Sequence, residues 1–206
     1  MSDALRLASV NVNGIRAAVR NGMHDWLGGA GVDVLTLQEV RATAADLAVA
    51  LPDWHIENDE SHTKGRSGVA IASRVAPVAV RRGLGDDTVD AAGRWIEADF
   101  EVGGQTVCVV SAYVHSGEVD TPKQEAKWLF LDAMGERLAA LSTERPLAVV
   151  TGDLNVGHRE LDIRNWKGNV KRAGFLPRER AYFDRFLGAQ GAETTGADGA
   201  AGTGPG

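Results

Sequence analysis

Three apolar runs in the sequence each end in polar side chains of the kind that bind a metal ion or a phosphate. The run ASVNVNG ends with Asn11 and Asn13, VLTLQEV with Gln38 and Glu39, and LAVVTGDLN with Asp153 and Asn155. Carboxylate and amide oxygens are ligands that Mg²⁺ and Mn²⁺ prefer. Strand ends are also where ligands bind in open α/β sheets. The pattern therefore indicates an oxygen-rich site, provided that the three runs are neighbouring strands.

Each of these residues also has an ordinary structural interpretation. Asn13-Gly14 is a typical turn pair, Asp153 can cap the turn that follows it, and Glu39 can be a solvated strand end. For any one residue taken alone, the structural interpretation is the better one. The joint occurrence of polar ends after three apolar runs favours a shared site.

Two further features have the chemistry to contact a phosphate. Tyr113 ends the run VVSAY, where its hydroxyl can hold a phosphate oxygen or donate a proton, although an ordinary strand aromatic is an equal alternative. Segment 158–185 has eight Lys or Arg against four Asp or Glu, a local charge of +4 in a chain of net charge -6. Such a segment suits a phosphate backbone, and a solvated loop face is its alternative.

Composition excludes several classes of protein. With 206 residues, 44% hydrophobic and 24% charged, the chain can bury a core and is not of the disordered class. The net charge of -6 excludes a globally basic nucleic-acid binder, although it leaves room for a local basic face. The single cysteine, Cys108, excludes a disulfide scaffold and a Cys-rich zinc site. No apolar run approaches the ~20 residues of a membrane span and no signal peptide is visible, so we expect a cytoplasmic protein.

The elements that must position the polar residues follow from hydrophobic periodicity. Strands are predicted at 5–12, 32–38, 54–57, 68–72, 78–81, 95–102, 106–114 and 147–152, and helices at 14–27, 44–51, 122–141 and 177–187. The mixture of helices with a hairpin at VGGQ predicts an α/β protein with two mixed sheets flanked by helices. Residues 1–187 are expected to form the folded domain. Residues 188–206 are predicted to be a flexible tail rich in Gly and Ala, without Leu, Ile, Val or aromatic residues.

Six segments resemble one family of enzymes. They are LRLASVNVNGIRA, DVLTLQEVRA, KGRSGVAIAS, GRWIEADF, VVSAYVHSGE and GDLNVGHRELDIRNWKGNVKRAGFLPRER. In this order they resemble exonuclease III-type apurinic/apyrimidinic endonucleases, members of the endonuclease/exonuclease/phosphatase superfamily, over almost all of residues 5–187. LQE and GDLN are shared by the whole superfamily, whereas RNWKGNVKRAGFLPRER is typical of its DNA-repair branch. The resemblance implies a layered α/β sandwich of the DNase I type.

The resemblance also implies roles for matched positions. It implies a metal site for Mg²⁺, with Mn²⁺ as an alternative, formed by Asn11, Glu39, Asp153 and Asn155. Of these, Asp153 resembles the residue that activates the attacking water, and Asn155 the group that holds this water and the phosphorane oxygens. Tyr113 resembles the tyrosine that contacts the phosphate. Contacts with DNA are expected for Arg66, Arg94, Ser116, Asn165, Lys167, Asn169 and Lys171.

The implied function is Mg²⁺-dependent cleavage of DNA 5′ to abasic sites, with 3′–5′ exonuclease and 3′-phosphatase activity. The expected partner is double-stranded DNA with abasic sites or 3′ ends, bound by a monomer without an obligate protein partner or a membrane. Relatives continue with a WRID-type segment and a closing SDH. Because neither occurs here, we expect the domain to be C-terminally incomplete, without the last strands. The alternatives are a catalytically impaired DNA-binding fragment and a phosphodiesterase of the superfamily that acts on another substrate.

Overall fold

Residues 4–191 are described by the structure, a computed structural model. They form two compact units. The first comprises the residues up to 113 together with 145–153, and the second comprises 114–144 together with the described residues from 154 onward. The expected extent of the nuclease domain, 1–187, stays a prediction. Residues 192–206 of the expected tail lie outside the described residues.

The first unit contains two four-stranded mixed sheets. One sheet has the order β1 (Leu7–Asn11), β2 (Val34–Gln38), β4 (Val69–Ser73) and β3 (His55–Asp59). The other has the order β5 (Ala79–Arg82), β6 (Trp95–Val102), β7 (Gln105–Tyr113) and β8 (Ala148–Asp153). The pairs β1–β2 and β7–β8 are parallel, and the other pairs are antiparallel. All eight predicted strands are present, which confirms the expected fold class.

Burial explains why these strands were visible in the sequence. Every residue of β2 and of β4 is buried, and both strands are rich in Val, Leu, Ile or Ala, as strands buried on both faces are. Strands β6 and β7 form the hairpin predicted at VGGQ, with Gly103 at φ 56° and Gly104 at φ 78°. A two-residue hairpin turn with positive φ at both positions favours glycine, because other residues are strained there.

The two sheets of the first unit face each other across a core that is mostly apolar but contains some hydrogen-bonded polar side chains. Val34, Ile71 and Phe100 belong to one buried apolar cluster of this core. Between the sheets, Gln38 Nε2 on β2 donates to Ser111 Oγ on β7 at 3.0 Å. Gln38 was one of the polar strand ends noted in the sequence, but it is only 1% exposed and belongs to the core. It therefore links the sheets and is not available to a ligand.

The helices of the first unit differ from the prediction in two places. The helix predicted at 14–27 is two helices, α1 (Ile15–Arg20) and α2 (Met23–Ala30). Gly22, at φ 92°, separates them because its left-handed conformation ends one helix and begins the next. Helix α3 (Ala44–Ala50) begins with a capping box formed by Thr43 and Asp46. The short α4 (Asp87–Asp90) was not predicted, and the Asp86 side chain caps it.

The second unit contains two longer helices, α5 (Pro122–Glu144) and α6 (Pro177–Gly191), which contact each other. The ring of Trp128 on α5 stacks with that of Tyr182 on α6, with centroids 6.1 Å apart. Helix α6 continues past its predicted end at Leu187, into the first residues of the expected tail. No helix within residues 4–191 is both long and apolar enough to cross a membrane.

Candidate active site

The carboxyl ends of β1, β2, β7 and β8 bring four of the predicted site residues together in the first unit. In the parallel pair β1–β2, Asn11 lies opposite Gln38, so Glu39 follows at the same edge. In the parallel pair β7–β8, Tyr113 lies opposite Asp153. Parallel pairing thus brings these polar side chains to the carboxyl ends of the strands, where ligands bind in many α/β sheets.

The side-chain amide of Asn11 joins the two acidic residues. Its Nδ2 donates to Glu39 Oε1 at 2.9 Å and to Asp153 Oδ2 at 2.8 Å. Its Oδ1 accepts a hydrogen bond from the main-chain N–H of Asn13 at 3.0 Å. One uncharged group therefore holds two carboxylates within reach of one nitrogen atom, although Asp153 lies 142 residues from Asn11 in sequence.

Glu39 is surrounded by donors that favour its ionised form. Burial alone would raise its pKa, but hydrogen bonds from Asn11 and Tyr113 and the charge of Arg41 lower the pKa below the ordinary value. Arg41 Nη2 forms an ion pair with Glu39 Oε2. Both residues have positive φ, 53° for Glu39 and 51° for Arg41, so the chain turns sharply after β2. Glu39 is consequently a carboxylate, not a carboxylic acid, at neutral pH.

Arg41 is a component of the site that the sequence analysis missed. Its main-chain N–H donates to Ser67 O at 2.9 Å, which holds the turn after β2 against the segment before β4. The available signal was its position in LQEVR, two residues after the acidic strand end. A basic side chain so close in sequence to a candidate metal carboxylate is a natural charge partner for it.

Tyr113 and Arg94 form a second pair at the same strand ends. The Arg94 guanidinium lies over the Tyr113 ring, 4.3 Å from its centroid, and Nη1 donates to the Tyr113 carbonyl at 3.0 Å. Burial is the main cause that raises the pKa of Tyr113, and the hydrogen bond to Glu39 and the negative charge of Glu39 raise this pKa further. Burial also lowers the pKa of Arg94. Arg94 Nε is buried and has no hydrogen-bond partner among the described residues, 4–191.

The residues present fit a hard divalent cation. Glu39 and Asp153 supply carboxylate oxygens, which Mg²⁺ and Mn²⁺ prefer over nitrogen or sulfur. Within residues 4–191 no three His, Cys, Asp or Glu side chains form a group that could hold an ion. Two carboxylates with neighbouring amides match the habit of Mg²⁺, which is bound by one or two protein carboxylates and keeps several waters. The donor set therefore suits Mg²⁺ better than zinc.

Two of the other predicted residues lie on loops of the second unit. Asn155 comes two residues after Asp153 in the chain, adopts a left-handed φ of 48°, and donates from Nδ2 to Val114 O at 2.9 Å. Ser116 is exposed on the loop that follows β7. In the first unit, Arg66 is exposed on the loop before β4. The roles expected for these residues stay predictions.

The remaining predicted DNA contacts lie together on one loop of the second unit. The 3-10 turn Trp166–Gly168 contains Lys167 and is followed or preceded closely by Asn165, Asn169 and Lys171. Asn169 Nδ2 donates to Asn165 O at 2.7 Å, which closes the loop. The Lys167 ammonium lies 5.5 Å from the centroid of the Trp166 ring. Lys167 and Lys171 are exposed, so this loop offers two cations to solvent.

Comparison with known proteins identifies relatives of this chain. The Endonuclease/Exonuclease/phosphatase family pattern matches residues 8–206. An exodeoxyribonuclease of Bacillus subtilis is 32% identical over 186 residues, which cover 90% of this chain and 72% of that protein. The DNA repair nuclease APEX1 of Danio rerio is 34% identical over 194 residues, which cover 90% of this chain and 60% of that protein.

Solved structures show the same relationship. An AP endonuclease from Archaeoglobus fulgidus has a TM-score of 0.75 and 27% identity, covering 87% of this chain and 68% of that one. A 3′ phosphatase, NExo from Neisseria, bound to a product DNA hairpin, has a TM-score of 0.77 and 27% identity, covering 87% and 69%. The chain therefore belongs to the Endonuclease/Exonuclease/phosphatase family, in which it is similar to the exonuclease III-type apurinic/apyrimidinic endonucleases.

Proposed function

We propose that this protein is a Mg²⁺-dependent phosphodiesterase that cleaves DNA on the 5′ side of abasic sites. The observation that supports this most directly is the contact of Asn11 with both Glu39 and Asp153, beside Tyr113. Relatives named as an exodeoxyribonuclease and an AP endonuclease support the choice of DNA as substrate. The relative named as a 3′ phosphatase favours 3′–5′ exonuclease and 3′-phosphatase activity at the same site.

Glu39 and Asp153 are the residues that would hold the metal ion. Bound there, Mg²⁺ would neutralise charge on the phosphate and stabilise the leaving 3′ oxygen. The donors around Glu39 keep this carboxylate ionised and therefore ready for a cation. Asn11 contributes an amide, which supports both carboxylates without adding negative charge beside an anionic substrate.

Each remaining side chain has a task that its chemistry permits. The Asp153 carboxylate accepts a proton from the water that attacks phosphorus, as a general base. The Tyr113 hydroxyl has one proton, which it donates to Glu39 here and would turn toward a phosphate oxygen when substrate binds, and its raised pKa keeps it protonated. Asn155 offers both a donor and an acceptor for the water and the phosphorane oxygens. Its place in the reaction follows from the family resemblance.

Preference for an abasic site has a simple physical source. A nucleotide without its base has little stacking or pairing to lose, so the enzyme extrudes it from the duplex at low cost. The exposed Lys167 and Lys171 would contact the phosphate backbone near it.

Incision of a defined duplex tests the proposal. We expect a duplex with one tetrahydrofuran abasic analogue to be cut 5′ to the analogue in Mg²⁺ and to remain intact in EDTA. A duplex ending in a 3′-phosphate tests the phosphatase activity in the same reaction buffer. A folded wild-type protein that cuts neither substrate in Mg²⁺ or Mn²⁺ would overturn the proposed function.

The role of Asp153 is tested by the isosteric variant Asp153→Asn. Removal of a general base typically costs about 10²–10⁴-fold in rate, and we expect a decrease in this range with DNA binding retained. The matched control is Asp25→Asn, which changes an exposed aspartate on α2 and should leave the incision rate unchanged. An Asp153→Asn protein that cuts as fast as the wild type would contradict the assignment of the base.

A further inference from the structure

The loop that follows β8 holds Asn155 in an unusual conformation. At φ 48° the residue is left-handed, a region that costs most side chains energy, although asparagine tolerates it better than most. Such a conformation is kept in the folded protein only where several surrounding contacts hold the residue in it. Here the Asn155 side chain donates to Val114 O at 2.9 Å, and Gly157 N, two residues later, donates to Gly174 O at 2.8 Å.

Lys127 on α5 holds the same loop from its main-chain side. Its ammonium donates to Asn155 O at 2.9 Å and to Ser116 O at 3.2 Å. The Ser116 carbonyl belongs to the loop after β7, so one side chain joins two loops of the second unit. Lys127 is fully buried, with 0% exposure, which is rare for a lysine.

Glu179 supplies the countercharge from α6. Its Oε1 lies 2.7 Å from Lys127 Nζ, and both side chains have 0% exposure. The same carboxylate accepts from Gln124 Nε2 at 3.2 Å and, through Oε2, from the Leu176 main-chain N–H at 2.9 Å. Helix α5, helix α6 and the two loops thus share one buried ionic network.

The backbone of the loop after β7 is shaped to approach this network. Gly117 adopts φ 75°, and a Cβ atom there would lie 2.5 Å from Gln124 Oε1 and 3.0 Å from Lys127 Cδ. Only glycine permits this approach without displacing the two side chains. The close fit brings the Ser116 carbonyl within reach of the Lys127 ammonium.

A contribution to folding stability does not by itself explain a buried ionic network of this kind. Replacing a buried ion pair by well-packed apolar residues is often neutral or stabilising, because two charges lose their hydration. What an ammonium offers, and an apolar side chain does not, is directional N–H donors that fix carbonyl positions. The acceptors that Lys127 fixes are the main-chain carbonyls of Ser116, an expected DNA contact, and of Asn155, an expected catalytic residue.

We propose that Lys127 is a positioning residue, whose ammonium holds the main chain of Asn155 in place so that its amide meets the reacting phosphate. This inference rests on the proposed function for the role of Asn155. That Lys127 holds the loop containing Asn155 is a structural claim, which does not depend on the proposed function. Glu179 has the supporting part, since it compensates the charge of Lys127 inside the protein.

A charge-free double variant tests the proposal. Lys127→Met alone leaves Glu179 buried without its countercharge and is expected to lower the Tm strongly. Lys127→Met combined with Glu179→Gln removes both charges and keeps an oxygen to cap α6. We expect this double variant to melt cooperatively and to incise abasic DNA with kcat lower by about 10- to 100-fold, as for a misplaced reacting group, while KM stays within about threefold.

Hydrogen exchange supplies a readout that needs no activity. In the double variant without DNA, amides of 154–157 should exchange faster, whereas those of β6 and β7 should keep their wild-type rates. Met134→Ala is the matched control, because Met134 is buried on the same helix and its truncation leaves the Lys127 ammonium in place. It should lower the Tm and leave both kcat and the exchange of 154–157 unchanged.

Each outcome has a definite meaning. A double variant with wild-type kcat and wild-type exchange at 154–157 would overturn the positioning role. The same changes in Met134→Ala would also overturn it, since they would then follow from lower stability alone. A wild-type protein that fails to incise DNA would remove the proposed function, and the exchange rates would still show whether Lys127 holds the loop.

Discussion

At the candidate site, a single amide nitrogen holds two carboxylates close together. Two carboxylates repel each other, and each would raise the pKa of the other if nothing compensated. Asn11 donates to both, and Arg41 pairs with Glu39, so the repulsion is offset before a cation is bound. The metal site that we propose at Glu39 and Asp153 would therefore have its negative charge in place before an ion binds.

Asp59 on β3 is a half-buried carboxyl group outside the candidate site. Burial, with the nearby charge of Asp90 adding to it, raises the pKa of Asp59 from 3.8 to about 6, although the Trp95 main-chain N–H and Arg82 act in the opposite direction. Its Oδ2 has no hydrogen-bond partner among residues 4–191. The folded protein therefore binds this proton more tightly than the unfolded chain does.

The raised pKa predicts that folding stability falls as the pH rises. Its contribution is fully present below the unfolded pKa of 3.8 and is lost as the pH passes through about 6. Because Asp59 is only partly buried, solvent screening reduces the effect, and about 1 kcal/mol or less is expected between pH 5 and pH 8. Urea unfolding at pH 5 and pH 8 measures this difference for the wild type against Asp59→Asn.

The variant should lack this part of the pH dependence, because asparagine does not titrate. Asp53→Asn, at an exposed loop position, is the control and should keep the wild-type dependence. If Asp59→Asn shows the same change in stability between pH 5 and pH 8 as the wild type, the carboxyl group is not the source of it.

At the scale of elements, hydrophobic periodicity predicted the strands well because most of them are buried on one or both faces. It also placed Glu39 and Asp153 correctly at strand ends, since a polar residue after an apolar run marks the edge of a sheet. The break between α1 and α2 was missed, because Gly22 acts through its φ of 92° and not through hydrophobicity. The core position of Gln38 was missed as well, since its partner Ser111 is 73 residues away.

Gly152 decides how closely β8 approaches β7. It lies opposite Ala112 in the parallel register, and a Cβ atom there would be 1.9 Å from the Ala112 carbonyl oxygen. Its φ of 144° is also rarely adopted by other residues. We expect Gly152→Ala to push β8 away from β7, to lower the free energy of unfolding by about 1–3 kcal/mol or more, and to displace Asp153.

Thermal unfolding and the incision rate measure the two effects of Gly152→Ala. Gly28→Ala is the control, because a Cβ atom at position 28 on α2 meets nothing within 4 Å. Alanine inside a helix should raise the free energy of unfolding by about 0.5–1 kcal/mol without changing incision. A Gly152→Ala protein with wild-type stability and rate would show that β8 accommodates the methyl group.

At the scale of the whole molecule, charge is distributed unevenly. The chain has a net charge of -6, whereas segment 158–185 alone has +4. The structure strengthens the contrast, because two of the four acids in that segment, Glu179 and Asp184, are buried. Glu179 pairs with Lys127 and Asp184 with His158, whereas six of the eight bases of the segment are exposed. Among the exposed residues of the segment there are three bases for each acid, against two for each acid in its sequence.

This distribution predicts how DNA binding responds to salt. Each lysine that binds a phosphate releases about one condensed counterion, so removing one such lysine changes the slope of log K against log salt concentration by about 0.9. Lys167→Ala combined with Lys171→Ala should reduce the slope by about 2 and weaken binding similarly for all sequences. Fluorescence anisotropy in EDTA measures binding without cleavage.

Lys123→Ala, on the exposed start of α5 where Lys123 pairs with Glu118, should keep the wild-type slope. A double variant with that same slope would mean that the loop around Trp166–Gly168 does not contact the DNA backbone, and the basic segment would then be a solvated face.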